Sequence, residues 1–169
     1  MRIAITAAVT AILSVALAAC GFQLRGTASL PFDKLYMPPA TVSGIALDLK
    51  RNIQAGTRTM VVDDPKKADA QFELSWELRE KLILSLAANG RVREYQLRYS
   101  VGFRVHDGKG GEFLPSNLLR LTRDVTFNDS DVLSKEAEEL LLYRDMQTDM
   151  VQQIMRRLAS ARTPKPAVH

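Results

Sequence analysis

Gln71-Phe72-Glu73-Leu74-Ser75-Trp76-Glu77-Leu78-Arg79, joined through Asn89-Gly90 to Tyr95-Gln96-Leu97-Arg98-Tyr99-Ser100-Val101-Gly102-Phe103-Arg104-Val105, decides the fold of this chain. In both stretches apolar residues recur at every second position, the period of a strand with one buried face. Phe72, Leu74, Trp76 and Leu78 are expected on one side of the first strand, and Glu73, Ser75, Glu77 and Arg79 on the other. Asn-Gly is a favoured hairpin turn because both residues accept positive φ, so the two stretches predict one long antiparallel hairpin. The glycine-rich turn His106-Asp107-Gly108-Lys109-Gly110-Gly111 then returns the chain through a third strand near Leu119 to Phe127. On such alternating strands Trp76, Tyr95 and Tyr99 are expected to fill the core rather than form a stacking platform for a ligand.

Upstream of the hairpin, Leu35-Tyr36-Met37 reads as a short strand stopped by Pro38-Pro39. Ser43 is a good N-cap, and Val42, Ile45, Ala46, Leu49 and Ile53 recur at helical spacing until Gly56. The β-branched run at Thr59-Met60-Val61-Val62 predicts a strand, and Asp63 to Lys67 a turn, so the chain opens in a βαβ-like way. Downstream, Asn128-Asp129-Ser130-Asp131 offers N-caps to a long helix. Its apolar stripe is Leu133, Ala137, Leu140, Tyr143, Met146, Met150, Ile154 and Leu158. Glu136, Glu138 and Glu139 near its start and Arg156 and Arg157 near its end complement the helix dipole. Two one-striped helices and a one-faced sheet predict an α+β fold, a two-layer sandwich in which a mainly antiparallel sheet is packed by two helices. The other face of the sheet is expected to be polar, with Arg93, Gln96, Arg98 and Arg104 facing water or a polar partner.

The formal charge of +4 is mild, short of the basicity of a dedicated nucleic-acid binder. The two histidines, His106 in a turn and His169 at the terminus, suggest no catalytic triad. Gly108-Lys109-Gly110-Gly111 lacks the spacing of a phosphate loop, Glu80 and Asp124 stand singly, and no metal-ligand spacing appears. These features argue against an enzyme and call for no cofactor.

The N-terminal segment has a charged start at Arg2 and an apolar, small-residue run from Ile3 to Ala19, which is signal-peptide architecture. Leu17-Ala18-Ala19-Cys20 resembles the lipobox of bacterial lipoproteins. That resemblance implies cleavage before Cys20 and acylation of its thiol and new amino terminus, which takes up the only cysteine. Acyl chains at about 0.8 kcal/mol per buried methylene would hold the protein stably on a membrane. The expected organisation is a signal peptide over 1–19, one domain over 20–162 and a disordered tail over 163–169.

Cys20-Gly21-Phe22-Gln23-Leu24-Arg25-Gly26, Asn89-Gly90-Arg91-Val92-Arg93-Glu94-Tyr95-Gln96-Leu97, Leu133-Ser134-Lys135-Glu136-Ala137-Glu138-Glu139 and Asp145-Met146 together resemble the lipopolysaccharide-assembly lipoprotein family LptE, in family order. The resemblance implies an outer-membrane lipoprotein facing the periplasm. It would plug the large β-barrel LptD and help it deliver lipopolysaccharide to the outer leaflet, without a cofactor. Lys135 matches a family position implicated in lipopolysaccharide contact, although a solvated lysine paired with Glu138 or Glu139 reads equally well. The family's second basic contact, just before the Asn-Gly turn, is Ala88 here, so Arg91 and Arg93 are the candidates to supply its charge. Arg98 and Arg104 are candidate contacts to the barrel. The rival readings are a pilotin-like lipoprotein chaperoning another outer-membrane assembly, a free periplasmic binding module, and a hydrolase.

Overall fold

The computed structural model describes residues 29–39, 43–126 and 132–164, with side chains from 135 onward in the last of these. The lipobox with Cys20, the capping stretch 128–131 and the tail beyond Pro164 lie outside the described residues.

The chain opens with β1 (Lys34–Tyr36), α1 (Gly44–Gly56) and β2 (Met60–Val62). β1 and β2 pair in parallel, with Lys34 opposite Met60, which is the βαβ opening expected from the sequence. Ser43 caps α1, its hydroxyl accepting from the Ala46 amide at 3.4 Å. A short 3-10 turn at Pro65–Lys67 follows, capped by Asp64. β3 (Ala70–Leu86), β4 (Val92–His106) and β5 (Glu112–Thr126) then form the antiparallel meander, and α2 (Val132–Ala159) closes the fold. The sheet order is β2-β1-β3-β4-β5. β1 touches β3 only at Ala70 and Gln71, so the long β3–β4 hairpin extends well past the small parallel corner.

Both hairpin turns depend on glycine. Gly90 adopts φ of 79°, whereas Asn89 keeps negative φ and uses its side-chain oxygen to accept from the Arg91 amide at 3.2 Å. The turn therefore spans five residues, closed by a hydrogen bond from the Ala87 amide to the Arg91 carbonyl, and is not the two-residue type that Asn-Gly favours. In the second turn Gly108 and Gly110 take positive φ, and the Asp107 carboxylate accepts from the amides of Lys109 and Gly111 at 2.7 and 2.8 Å. These bonds favour the ionised carboxyl and lower its pKa.

One core lies between the sheet and the two helices. Leu97, Tyr99, Val101, Phe103 and Val105 of β4 meet Ile45, Leu49 and Ile53 of α1 and Met146, Met150, Ile154 and Leu158 of α2. Phe72 and Phe103 stack at 5.5 Å, and Phe32 meets Phe113 edge-on at 5.4 Å. The architecture is the expected two-layer α+β sandwich. The apolar stripe of α2, however, is buried only from Met146 onward: Ala137 is exposed and Leu140 is 72% exposed. The first half of the helix faces Arg79 and Lys81 of β3, and Glu139, Tyr143 and Gln147 turn toward them, which rotates the apolar members of the stripe to solvent.

Candidate functional site

The unusual part of the domain begins at Ser75. Phe72 pairs with Val105 and Leu74 with Phe103, on the helix side, but the next pair is Trp76 with Gly102. Two steps along β3 have been matched by one along β4, which is a β-bulge. Because successive side chains point to opposite faces, the residues from Trp76 to Ile83 change sides, until a second register shift between Ile83 and Ser85. Glu77, Arg79 and Lys81 now oppose Val101, Tyr99 and Leu97 on the helix side, while Trp76 and Leu78 oppose Gly102 and Ser100 on the outer side. This corrects the expectation that Phe72, Leu74, Trp76 and Leu78 share one face and that Trp76 fills the core.

On the helix side the bulge installs a polar network. Glu77 accepts from the Tyr99 hydroxyl at 2.6 Å and also from the Ser43 hydroxyl. Arg79 places its guanidinium 4.8 Å from the Tyr99 ring centre and 5.6 Å from that of Tyr143. It donates to Gln147, which in turn donates to Asp48 of α1. Lys81 reaches Glu139 at 2.6 Å, and Tyr143 donates to the Glu80 carbonyl at 2.8 Å. The network therefore ties α1, the sheet and α2 together beside a groove of about 670 Å³ lined by Asp48, Asn52, Arg79, Arg144 and Gln147.

Burial, and then the Glu77 hydrogen bond, push the Tyr99 hydroxyl well above the ordinary tyrosine range. The fold thus favours the neutral phenol, so this stabilisation is complete below the unfolded pKa and is lost as pH rises toward the folded one. We expect unfolding stability to fall above about pH 10, where a free tyrosine ionises. Tyr99→Phe should flatten that slope in chemical denaturation measured across alkaline pH.

The outer side carries a short apolar belt where a polar surface was expected. Trp76, Gly102 and Leu118 form one cross-strand row, and Leu78, Ser100 and Arg120 the next. Trp76 is 41% exposed, Leu78 46% and Leu118 54%. Gly102 is where it is because the indole lies over it: a Cβ built there would come within 2.5 Å of the Trp76 ring nitrogen. On one side of the belt Arg104 pairs with Glu73 at 2.6 Å, and on the other Arg98 lies 3.6 Å from Glu80. The Arg98 Nε is buried without an acceptor among the described residues. Arg120 donates to Ser100, and Gln96 to Asp124.

The candidates named from sequence therefore fall into two groups. Arg98 and Arg104 share the outer face, each in an ion pair flanking the belt. Lys135 bonds Glu138 at 2.7 Å, the solvated helix pair that its position allowed. Arg91 and Arg93 are exposed at and just beyond the hairpin turn. Cys20 is outside the described residues. Sequence reasoning missed Trp76, Leu78 and Leu118 as surface residues. The available signal was Gly102, an isolated glycine inside a strand, which marks a bulge or a close approach.

Among the described residues no helix is long and apolar enough to cross a membrane, and no cluster of three metal-ligating side chains occurs. A lipopolysaccharide-assembly family model, LptE, matches residues 32–158. The chain is 30% identical over 146 residues to the LPS-assembly lipoprotein LptE of Yersinia enterocolitica, covering 83% of this chain and 69% of that protein. A Yersinia pestis protein of the same name is 29% identical over 145 residues, with the same two coverages. Among solved structures, an uncharacterized lipoprotein B from Nitrosomonas europaea is 42% identical, with a TM-score of 0.72, covering 83% of this chain and 91% of that one. The rare lipoprotein B of Shewanella oneidensis, 23% identical, shares the fold, with a TM-score of 0.65 over 75% of this chain and 94% of that one. A family match across nearly the whole described domain, together with relatives of the same architecture, shows that the chain belongs to the lipopolysaccharide-assembly family LptE, a family of non-enzymatic lipoproteins.

Proposed function

We propose that this protein is an outer-membrane lipoprotein, anchored through acylated Cys20 on the periplasmic side, that plugs an LptD-like β-barrel and helps deliver lipopolysaccharide to the outer leaflet. Family membership carries this reading, and the lipobox at Leu17-Ala18-Ala19-Cys20 supports the anchor. Within it, Lys135, Arg91 and Arg93 are the proposed contacts to lipopolysaccharide, whose phosphates and carboxylates call for cationic partners. A lysine in the first turns of a helix faces the unfavourable end of the dipole, and Glu138 offsets that cost locally. Arg98 and Arg104 are proposed as the polar rim of the barrel contact.

The test is binding of lipopolysaccharide to the full chain in detergent. Lys135→Asp combined with Arg91→Asp is expected to weaken it about ten-fold or more, each lost charged contact being worth roughly 1.5–3 kcal/mol. Thermal unfolding should move little, because Arg91 is exposed and Lys135 pairs with Glu138 within its own helix. Equal binding by the wild type and the double variant would remove these residues from the lipopolysaccharide contact.

A further inference from the structure

We infer that the belt of Trp76, Leu78 and Leu118 is the surface through which the domain packs against a wall of β-strands, the inner face of the barrel partner. This inference rests on the barrel reading above and adds the face used. Three observations carry it.

The first is the local conflict that the bulge creates. Without it, the alternation of β3 would keep Trp76 and Leu78 among the apolar residues under the helices and leave Glu77 and Arg79 in water. The fold does the reverse. It holds Glu77, 20% exposed, beneath the helices with Tyr99 and Ser43 donating to it, sets the half-exposed Arg79 guanidinium against the Tyr99 and Tyr143 rings, and turns an indole and a leucine outward. Departures from local consistency of this kind concentrate at functional surfaces.

The second is the seat for the indole. Gly102 sits in the middle of a buried strand, where glycine costs stability. Its bare backbone lets the indole close over β4, where three ring atoms come within 3.0 Å of the place a Cβ would occupy. An aromatic residue seated in this way and only partly covered is a pre-formed anchor of the kind that dominates protein interfaces.

The third concerns charge and identifies the occupant. From the Glu73–Arg104 row to the Gln96–Asp124 row, the outer face bears Glu73, Glu80 and Asp124 against Arg98, Arg104 and Arg120. The charges balance, and most already have partners within the face. An anionic glycolipid or bilayer surface would call for an excess of cations here. A balanced rim around an apolar centre instead suits a protein wall with the same anatomy. Sheets pack face to face at a spacing of about 10 Å, so a strand wall can cover both rows of the belt at once.

The experiment co-expresses the full lipidated chain with the barrel and measures barrel recovered per molecule of chain. Leu78→Glu with Leu118→Glu should lower recovery about ten-fold or more, since hot-spot losses of 1.4 kcal/mol or greater correspond to that factor. The thermal midpoint of the full chain should not move, because both side chains are half exposed. Leu118→Gln alone serves if the double variant melts early, and should lower recovery in the same direction. Gly102→Ala should displace the indole, read as a red shift in the emission of Trp76, the only tryptophan, and should lower recovery as well. Full recovery with all three variants would overturn the inference while leaving the barrel reading in place. No barrel with the wild type would remove both. A wild-type chain that sediments as a dimer, and a double variant that is monomeric, would assign the belt to a second copy and overturn the inference.

Discussion

Replacing Phe103 by alanine is expected to lower the unfolding free energy by about 3–5 kcal/mol, the usual cost of deleting a fully buried aromatic ring. Phe103 has no accessible surface, stacks on Phe72 and pairs with Leu74 at the centre of the hairpin. Its removal leaves a cavity lined by side chains of the sheet and helices that cannot collapse together, because neighbouring positions are held by the ladder. Denaturant unfolding of the full chain measures it. A loss under about 1 kcal/mol would mean that the core is not centred on β4.

The second large effect separates the bulge from a plain alternating strand. Deleting Ser75 should cost little, about 1 kcal/mol or less, because Trp76 then follows Leu74 directly and still meets Gly102. Deleting Leu78 should cost about 2–5 kcal/mol, combining overpacking with lost hydrogen bonds. To keep Arg79 to Ile83 in register the chain must erase the bulge. That moves Trp76 opposite Val101, into the place of Glu77 beneath the helices, and leaves the Tyr99 hydroxyl without its acceptor. An unbulged strand would instead make both deletions costly, since losing Ser75 would then also reverse every face beyond it. Comparing the two deletions by circular dichroism melts is sufficient.

The period of two in Tyr95 to Val105 identified β4 and its buried face, because β4 is central and regular over that run. Ser43 and Gly56 bounded α1 closely, since capping chemistry is local. The face of β3 beyond Ser75 was not legible, because a bulge is a property of the pair of strands and leaves the alternation of either one intact. The same shift explains the misjudged half of α2. Leu140 fits the helical stripe by spacing, but the surface below it had become Arg79 and Lys81, and the helix turned Glu139, Tyr143 and Gln147 to meet them. The candidate cations were legible by type, but their partners were not. Arg104 with Glu73 and Arg98 with Glu80 are cross-strand pairs fixed by register, which the sequence of one strand does not contain.

The central claim is that a lipidated member of the LptE family works bound to a single large barrel. It is tested most directly by purifying the full chain from the envelope of its own cells in mild detergent, with intact mass measured on the product. The account predicts a chain beginning at acylated Cys20, recovered one to one with a single large β-barrel protein. A chain retaining Arg2 or an unmodified Cys20 thiol, or one recovered with a different outer-membrane assembly, would contradict it.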